Sequence, residues 1–227
     1  MGVTVAAARR GPCLEENSVL QRSLVYRNNH WSDDFPRELD SPCTLVLTFA
    51  APEFETTSHP LGDLARAFPS SVLAGCSTSG EIHGVRVHDA SISVAVIRFE
   101  HSRLVRARTP IEQSTNSFSA GQGLAAQLPP DGLRAVFVLS DGLNVNGTPL
   151  VEGLRSGLPA NVVITGGLAG DGSRFHRTWV LGEDGTTKGG EICAVGFYGE
   201  RLRVGHGCEG GWSDLGPERA ITRSEGN

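Results

Sequence analysis

Apolar and polar positions along this chain fall into short runs whose period switches between two and about 3.6 residues. Thr44-Leu45-Val46-Leu47-Thr48-Phe49 follows Pro42 as a β-branched apolar run and predicts a buried strand. Leu61, Leu64, Ala65 and Phe68 recur at helical spacing before Pro69, and a strand over 72–76 comes next. Ser91 to Phe99 alternates, Leu104 to Thr109 reads as extended, and Ser117 to Leu128 reads as a helix weakened by Gly121 and Gly123. Pro129 to Gly132 is a turn, and Arg134 to Leu139 is a fully apolar strand ending at Ser140-Asp141-Gly142. Leu150 to Leu158 predicts a helix stopped by Pro159, and a strand follows over 161–165. Further extended signals occupy 178–181, 192–198 and 202–207. At the amino-terminal end, Val19, Leu20, Leu24 and Val25 share one side of a helix predicted over Ser18 to Asn28.

This order predicts an α/β (mixed α+β) fold: a largely buried mixed β-sheet core with flanking helices. Thr44–Phe49 maps onto Ala135–Ser140 at the 91-residue offset that also separates Gly75 from Gly166. The expectation is an internally duplicated α-β-α-β-β pattern with pseudo-repeats over 18–110 and 117–207. Residues 1–17 are small and polar and are expected to be a flexible terminus.

Two strands end in glycine turns that close on a carboxylate, and these turns carry the candidate chemistry. The first is Gly75-Cys76-Ser77-Thr78-Ser79-Gly80-Glu81 and the second is Gly166-Gly167-Leu168-Ala169-Gly170-Asp171-Gly172. Glycine after a buried strand lets backbone N–H groups approach a ligand, and Ser77 and Thr78 add hydroxyls. The backbone of Gly75–Ser77 and Gly166–Leu168 would hold a carboxylate, with Asp171 or Glu81 for an ammonium. On that reading Asp171→Asn weakens ligand binding and leaves the ligand-free melting temperature unchanged. The alternative, that the glycines only make tight strand-to-strand turns, is equally open.

Composition narrows the field. In 227 residues the net charge is −5 with mixed signs, which gives no basic footprint for nucleic acid and no basic stripe for a membrane surface. No stretch supplies the roughly 20 apolar residues of a spanning helix. Arg9-Arg10 precedes no apolar region, so no secretory signal is read. The odd set Cys13, Cys43, Cys76, Cys193 and Cys208 has no C-x-x-C pair and reads as free thiols in a cytoplasmic protein.

Sharper motifs fail on context. A dinucleotide or P-loop fingerprint needs a helix after the glycines, yet both turns run into extended segments. Gly75 to Ser79 falls one residue short of a nucleophile elbow, which also needs a helix. His83 and His88 lack a zinc spacing and read as solvated loop residues. Asp141 to Asn146 lacks a calcium loop's acids and reads as an Asx-rich turn. Asp171 with His176 has no nucleophile or metal set to complete it. His206 and Cys208, beside Trp212, are candidate haem ligands, although a hydrogen-bonded strand-end histidine is the plainer reading. No residue set completes an enzyme mechanism.

The two glycine segments also carry a resemblance. Gly75-Cys76-Ser77-Thr78-Ser79-Gly80-Glu81-Ile82 is similar to the G-C-S-T-x-G-E-I signature of the N-terminal FIST ("F-box and intracellular signal transduction") domain. Gly166 to Gly172, with Phe175 and Thr178 behind it, is similar to that family's G-G-x-A-G-D…F…T run. Gly211-Trp212…Gly216-Pro217…Ile221-Thr222-Arg223…Gly226-Asn227 resembles its exit from the domain. The resemblance covers about residue 40 to the end. It implies a sensory domain over 18–212 and an exit segment over 213–227 toward a C-terminal FIST domain, which this chain would lack.

The resemblance further implies intracellular small-ligand sensing, with amino acids or similar small polar metabolites as ligands and no cofactor. The expected partners are a C-terminal FIST domain or a signalling protein such as a histidine kinase or cyclic-dinucleotide enzyme. Its haem-binding nitric-oxide sensors make a haem-based gas sensor the alternative, with His206 first and Cys208 second. An interaction module without a small ligand is the third reading.

Overall fold

A computed structural model describes residues 19–57, 59–205, 207, 216 and 220–223. In chain order its strands are β1 (Val19–Arg27), β2 (His30–Trp31), β3 (Thr44–Ala50), β4 (Val72–Ser77), β5 (Glu81–His83), β6 (Arg86–His88), β7 (Ile92–Phe99), β8 (Arg103–Pro110), β9 (Leu133–Ser140), β10 (Val163–Leu168), β11 (Val180–Leu181), β12 (Thr187–Lys188) and β13 (Glu191–Tyr198). Three helices join them: α1 (His59–Ala67), α2 (Ser117–Ala126) and α3 (Gly147–Gly157). The expected mixed α+β class is what the chain adopts.

Two large sheets stack between helical layers. The first runs β12-β11-β4-β3-β7-β1-β2 and the second β10-β9-β13-β8. In each, a parallel pair joined through a helix (β3–α1–β4, β9–α3–β10) is followed by an antiparallel strand, β7 or β13. The stretch β4-β3-β7-β1 therefore has the order and directions of β10-β9-β13-β8. A short hairpin, β5–β6, stands apart as its own two-stranded sheet.

Alternation places the core. Leu45, Ala74, Cys76, Ile97 and Phe99 of the first sheet meet Phe137, Leu139, Cys193 and Val195 of the second in a buried layer between them. Val46, Val94 and Val96 point the other way, toward Leu61, Leu64 and Phe68 of the α1 region and the fully buried Trp179. On the far side, Val136, Val138 and Ala194 pack against Leu124 of α2 and Leu150 and Leu154 of α3. Such α/β/β/α layering follows from strands that are apolar on both faces.

The glycines that weaken α2 in isolation are what let it pack. A Cβ at Gly121 would lie 2.3 Å from the Leu150 carbonyl oxygen, and one at Gly153 would lie 2.0 Å from that of Phe118. The Asn146 side chain accepts from the Thr148 N–H at the start of α3, and Pro149 sits in its first turn.

Two expected elements differ. Ser18–Asn28 is not a helix: Val19 to Arg27 is β1, antiparallel to β7 from Val19↔Phe99 to Tyr26↔Ile92. Asn28 and Asn29, with φ of 52° and 64°, turn the chain into β2 as a primed hairpin turn does. The extended signal over 202–207 makes no strand among the described residues. β8, inside the first expected repeat, pairs with β13 in the second sheet. No described helix is long and apolar enough to cross a membrane.

Candidate functional site

The two glycine turns come together. The Ala169 N–H donates to the Ser140 carbonyl at the end of β9 (2.8 Å), and the Gly170 N–H donates to that of Ser77 at the end of β4 (2.9 Å). The carboxyl ends of both parallel pairs therefore share one rim, built from the loops after β4, β9 and β10. Ser79 Oγ accepts from the Gly172 N–H (2.9 Å), and Ser77 Oγ accepts from the Trp179 N–H (3.1 Å). Ser77 N–H in turn donates to the Trp179 carbonyl and Thr78 N–H to that of Ala50, both at 3.0 Å.

Three carboxylates stiffen this rim from inside. Asp171 accepts backbone N–H groups from Phe175 (3.1 Å), His176 (2.7 Å) and Arg177 (2.9 Å). The Arg177 and then the His176 N–H hold its carboxyl below the usual range. Its tie to His176 is to the backbone, so no acid/base pair of side chains forms. The same loop is pinned from outside by Arg174 on Glu53 and Arg177 on Glu55, each at 2.7 Å. The Arg174 hydrogen bond in turn lowers the Glu53 carboxyl.

Glu81 is 1 % exposed. It accepts from the Thr78 hydroxyl (2.7 Å) and from Ser91 through its hydroxyl (2.8 Å) and N–H (3.2 Å). Burial raises its carboxyl, against the lowering effect of those hydrogen bonds. Neither Glu81 nor Asp171 is turned outward for an ammonium.

The third carboxylate opens the turn that the sequence reads as Asx-rich; its longer-range partners are what the sequence does not show. Asp141 accepts from the Leu143 N–H at 2.8 Å and from the Asn144 N–H at 2.7 Å, as an Asx turn does. It also binds the Thr178 hydroxyl and the Gly190 N–H, both at 3.0 Å. It thus joins the end of β9 to segments 37 and 49 residues away. The family-like Thr178 was the available signal, since its hydroxyl also accepts from the Gly142 N–H (2.9 Å).

The glycines are set by close backbone approach. A Cβ at Gly75 would sit 2.3 Å from the Thr48 carbonyl oxygen, one at Gly166 1.9 Å from that of Val138, and one at Gly170 2.6 Å from Ser79 Oγ. Gly80 adopts φ of 143°, a conformation suited to glycine. Gly167 alone of the expected set has nothing within 4 Å of an added Cβ, and Leu168 beside it is half-exposed.

Cys76 is buried between the sheets, its thiol pushed up to about 12 by burial and then by Cys193. That thiol is a packing group and no nucleophile at neutral pH. Arg106 reaches Cys193 Sγ through Nε at 3.2 Å and the Leu181 carbonyl through Nη2 at 2.7 Å. Cys43, Cys76 and Cys193 are unbridged. No group of three acidic, histidine or cysteine side chains among the described residues could hold a metal. His83 and His88 lie on the β5–β6 hairpin, where His88 Nδ1 meets Arg27 Nη1 at 2.7 Å. His206 and Cys208 lie outside the described residues.

Large apolar side chains are exposed at this end of the molecule, beside the exposed Arg174 and Arg177. Ile82, Val85, Val87, Leu143, Leu168 and Phe175 are all exposed there, from 40 % for Leu143 to 100 % for Val85. Two shallow depressions, of about 170 and 290 Å³, flank this end: one at the β1–β2 turn around Arg27 and His30, the other between β8 and the start of α2.

Comparison with curated proteins gives no match. A family model described as the FIST N domain matches residues 44–227, and thus both glycine loops and all three stiffening carboxylates. The chain belongs to the FIST N domain family, whose members are sensory domains of signal transduction.

Proposed function

We propose that this sensory domain works by docking a second protein domain, such as a C-terminal FIST domain, on its rim. A small polar metabolite, amino acids first among them, is held at the seam. The observation that carries this reading is the set of six exposed large apolar side chains on the β5–β6 hairpin, the end of β10 and the loops after β9 and β10, whose carboxylates Glu81, Asp141 and Asp171 are turned inward. Exposed large apolar side chains held on a stiff support mark an interaction site. The inward carboxylates Glu81, Asp141 and Asp171 keep the loops in shape without a ligand, so the surface is ready before the partner arrives. No catalytic step is assigned to it.

A thermal-shift screen of the chain against amino acids, related metabolites and haemin tests where the ligand sits. A ligand at about 100 times its dissociation constant, bound wholly within the domain, stabilises by about 2.7 kcal/mol, a shift of several degrees. The expected result is a shift near zero with amino acids. A photo-cross-linker at Val85 should capture one protein in cells, and Phe175→Asp should prevent that capture while sparing the melting temperature. A shift of several degrees with one amino-acid class would overturn the seam and put the ligand inside this domain. A Soret band with haemin would move the domain to gas sensing.

A further inference from the structure

Of the four outer edges of the two large sheets, three are blunted. β2 and β12, at the ends of the first sheet, are two residues long, and β1, which β2 covers only at Tyr26 and Arg27, carries Arg22 in the part left unpaired. β8, at one end of the second, carries Arg103, Arg106 and Arg108 and finishes on Pro110. Short strands, charges and proline are how folded chains stop an edge from pairing further. β10 has none of these devices: Val163-Ile164-Thr165-Gly166-Gly167-Leu168 is six residues long, uncharged and free of proline. Among the described residues it pairs with β9 alone. Its counterpart in the first sheet, β4, is buried over Leu73–Ser77 and meets the antiparallel β11 at Cys76.

We infer that the β10 edge pairs with the β10 edge of a second copy of this chain, antiparallel across a two-fold axis. The self-complementarity is written in the strand. With the axis perpendicular to the sheet at Thr165, that residue meets its own copy, Ile164 faces Gly166, and Val163 faces Gly167. Val163 and Ile164 are each opposite a glycine, Leu168 at the strand end is opposite Val162, and a threonine pair can share hydroxyl hydrogen bonds at the centre. The segment holds no charge, so the join carries no like-charge penalty although each chain has a net charge of −5. An isologous contact of this kind closes after two copies and does not propagate into fibres. It joins the two four-stranded sheets into one of eight strands and sends the two rims to opposite ends, with Leu168 the one rim residue at the margin of the join. The inference is independent of what docks on the rim.

Edge pairing over one short strand covers less than the roughly 1,200 Å² of a standard stable interface, so the affinity falls on the order of micromolar. Sedimentation equilibrium of the whole chain over about 1–100 μM should show a monomer–dimer equilibrium. Gly167→Lys, at a position with open space around it, should give a monomer with unchanged circular dichroism and melting temperature. Thr165→Cys should form a disulfide-linked dimer on mild oxidation, because opposed Cβ atoms in such pairs approach to about 4.5 Å, within a small shift of the disulfide span. A chain that stays monomeric throughout overturns the inference, whether or not hydrogen exchange finds 163–168 protected by another segment. So does a dimer that survives Gly167→Lys, or a Thr165→Cys chain that does not cross-link.

Discussion

The two helix-joined parallel pairs, β3–α1–β4 and β9–α3–β10, use one design with two finishes. Both strands that end in a glycine turn lie so close to their parallel neighbour that a Cβ at Gly75 or Gly166 would strike its carbonyl oxygen, at 2.3 and 1.9 Å. Around that shared contact the surroundings diverge. Five of six β4 residues are buried and its end meets β11 at Cys76, whereas no residue of β10 is buried and, among the described residues, no strand pairs with its outer edge. Glycine here marks where two strands touch, and the neighbours decide whether the turn is sealed in the core or left for another molecule.

The comparison breaks first at the glycines. Gly166 holds a φ of 150° and has no space for a side chain. Gly166→Ala should therefore cost about 3–4 kcal/mol in urea unfolding, and Gly75→Ala should cost a similar amount. If either alanine variant kept wild-type stability, close approach would not be what selects glycine there. Gly167, one residue further along the same strand, has open space around it. Gly167→Ala should change stability by no more than about 0.5 kcal/mol.

Next come the carboxylates that join the two finishes. Asp141 is the acceptor of four hydrogen bonds. Asp141→Ala removes them all and should cost about 3 kcal/mol. Three backbone N–H groups depend on Asp171. Asp171→Asn should cost about 2 kcal/mol in the ligand-free protein. That replaces the unchanged melting temperature expected when Asp171 is read as a ligand group. Its folded pKa is depressed, so its contribution is complete above the unfolded value of 3.8 and is lost as pH falls through the folded one. An acid titration of stability should therefore be shallower in Asp171→Asn than in the wild type below about pH 4.

Glu81 sharpens the contrast with the smallest effect and the opposite sign. Its folded pKa is raised, so it favours the fold fully below the unfolded value of 4.5 and loses that contribution as pH rises through the folded value. Glu81→Gln removes the buried charge and should raise stability at pH 7 by at most about 1 kcal/mol. That gain should vanish near pH 4. A melting temperature that falls at pH 7 would show that ionised Glu81 supports the first turn.

The layering was legible because buried strands announce themselves: Thr44–Phe49, Arg134–Leu139 and Ser91–Phe99 are apolar or alternating over their whole length. β1 was not, since only Leu24 and Tyr26 of its nine residues are buried and Gln21-Arg22-Ser23 hides the period of two. Its pairing with β7, more than sixty residues away, decides its conformation. The meeting of the glycine turns followed from their shared grammar. The fate of their acids did not, because a side-chain acceptor looks the same in sequence whether it faces solvent or the N–H groups of a distant loop. Asp141 shows this most plainly, since two of its four donors come from Thr178 and Gly190.

The glycine contacts between α2 and α3 have a mechanical consequence. With backbone against backbone at Gly121 and Gly153, and Gly157 close against Ala125, neither helix can roll over the other as over a cushion of leucines. They form a single plate riveted to the outer face of the second sheet. Any displacement that enters through β9 or β10 must carry both helices as one lever arm, and a push at the rim reaches the far face of the domain without being dissipated between them.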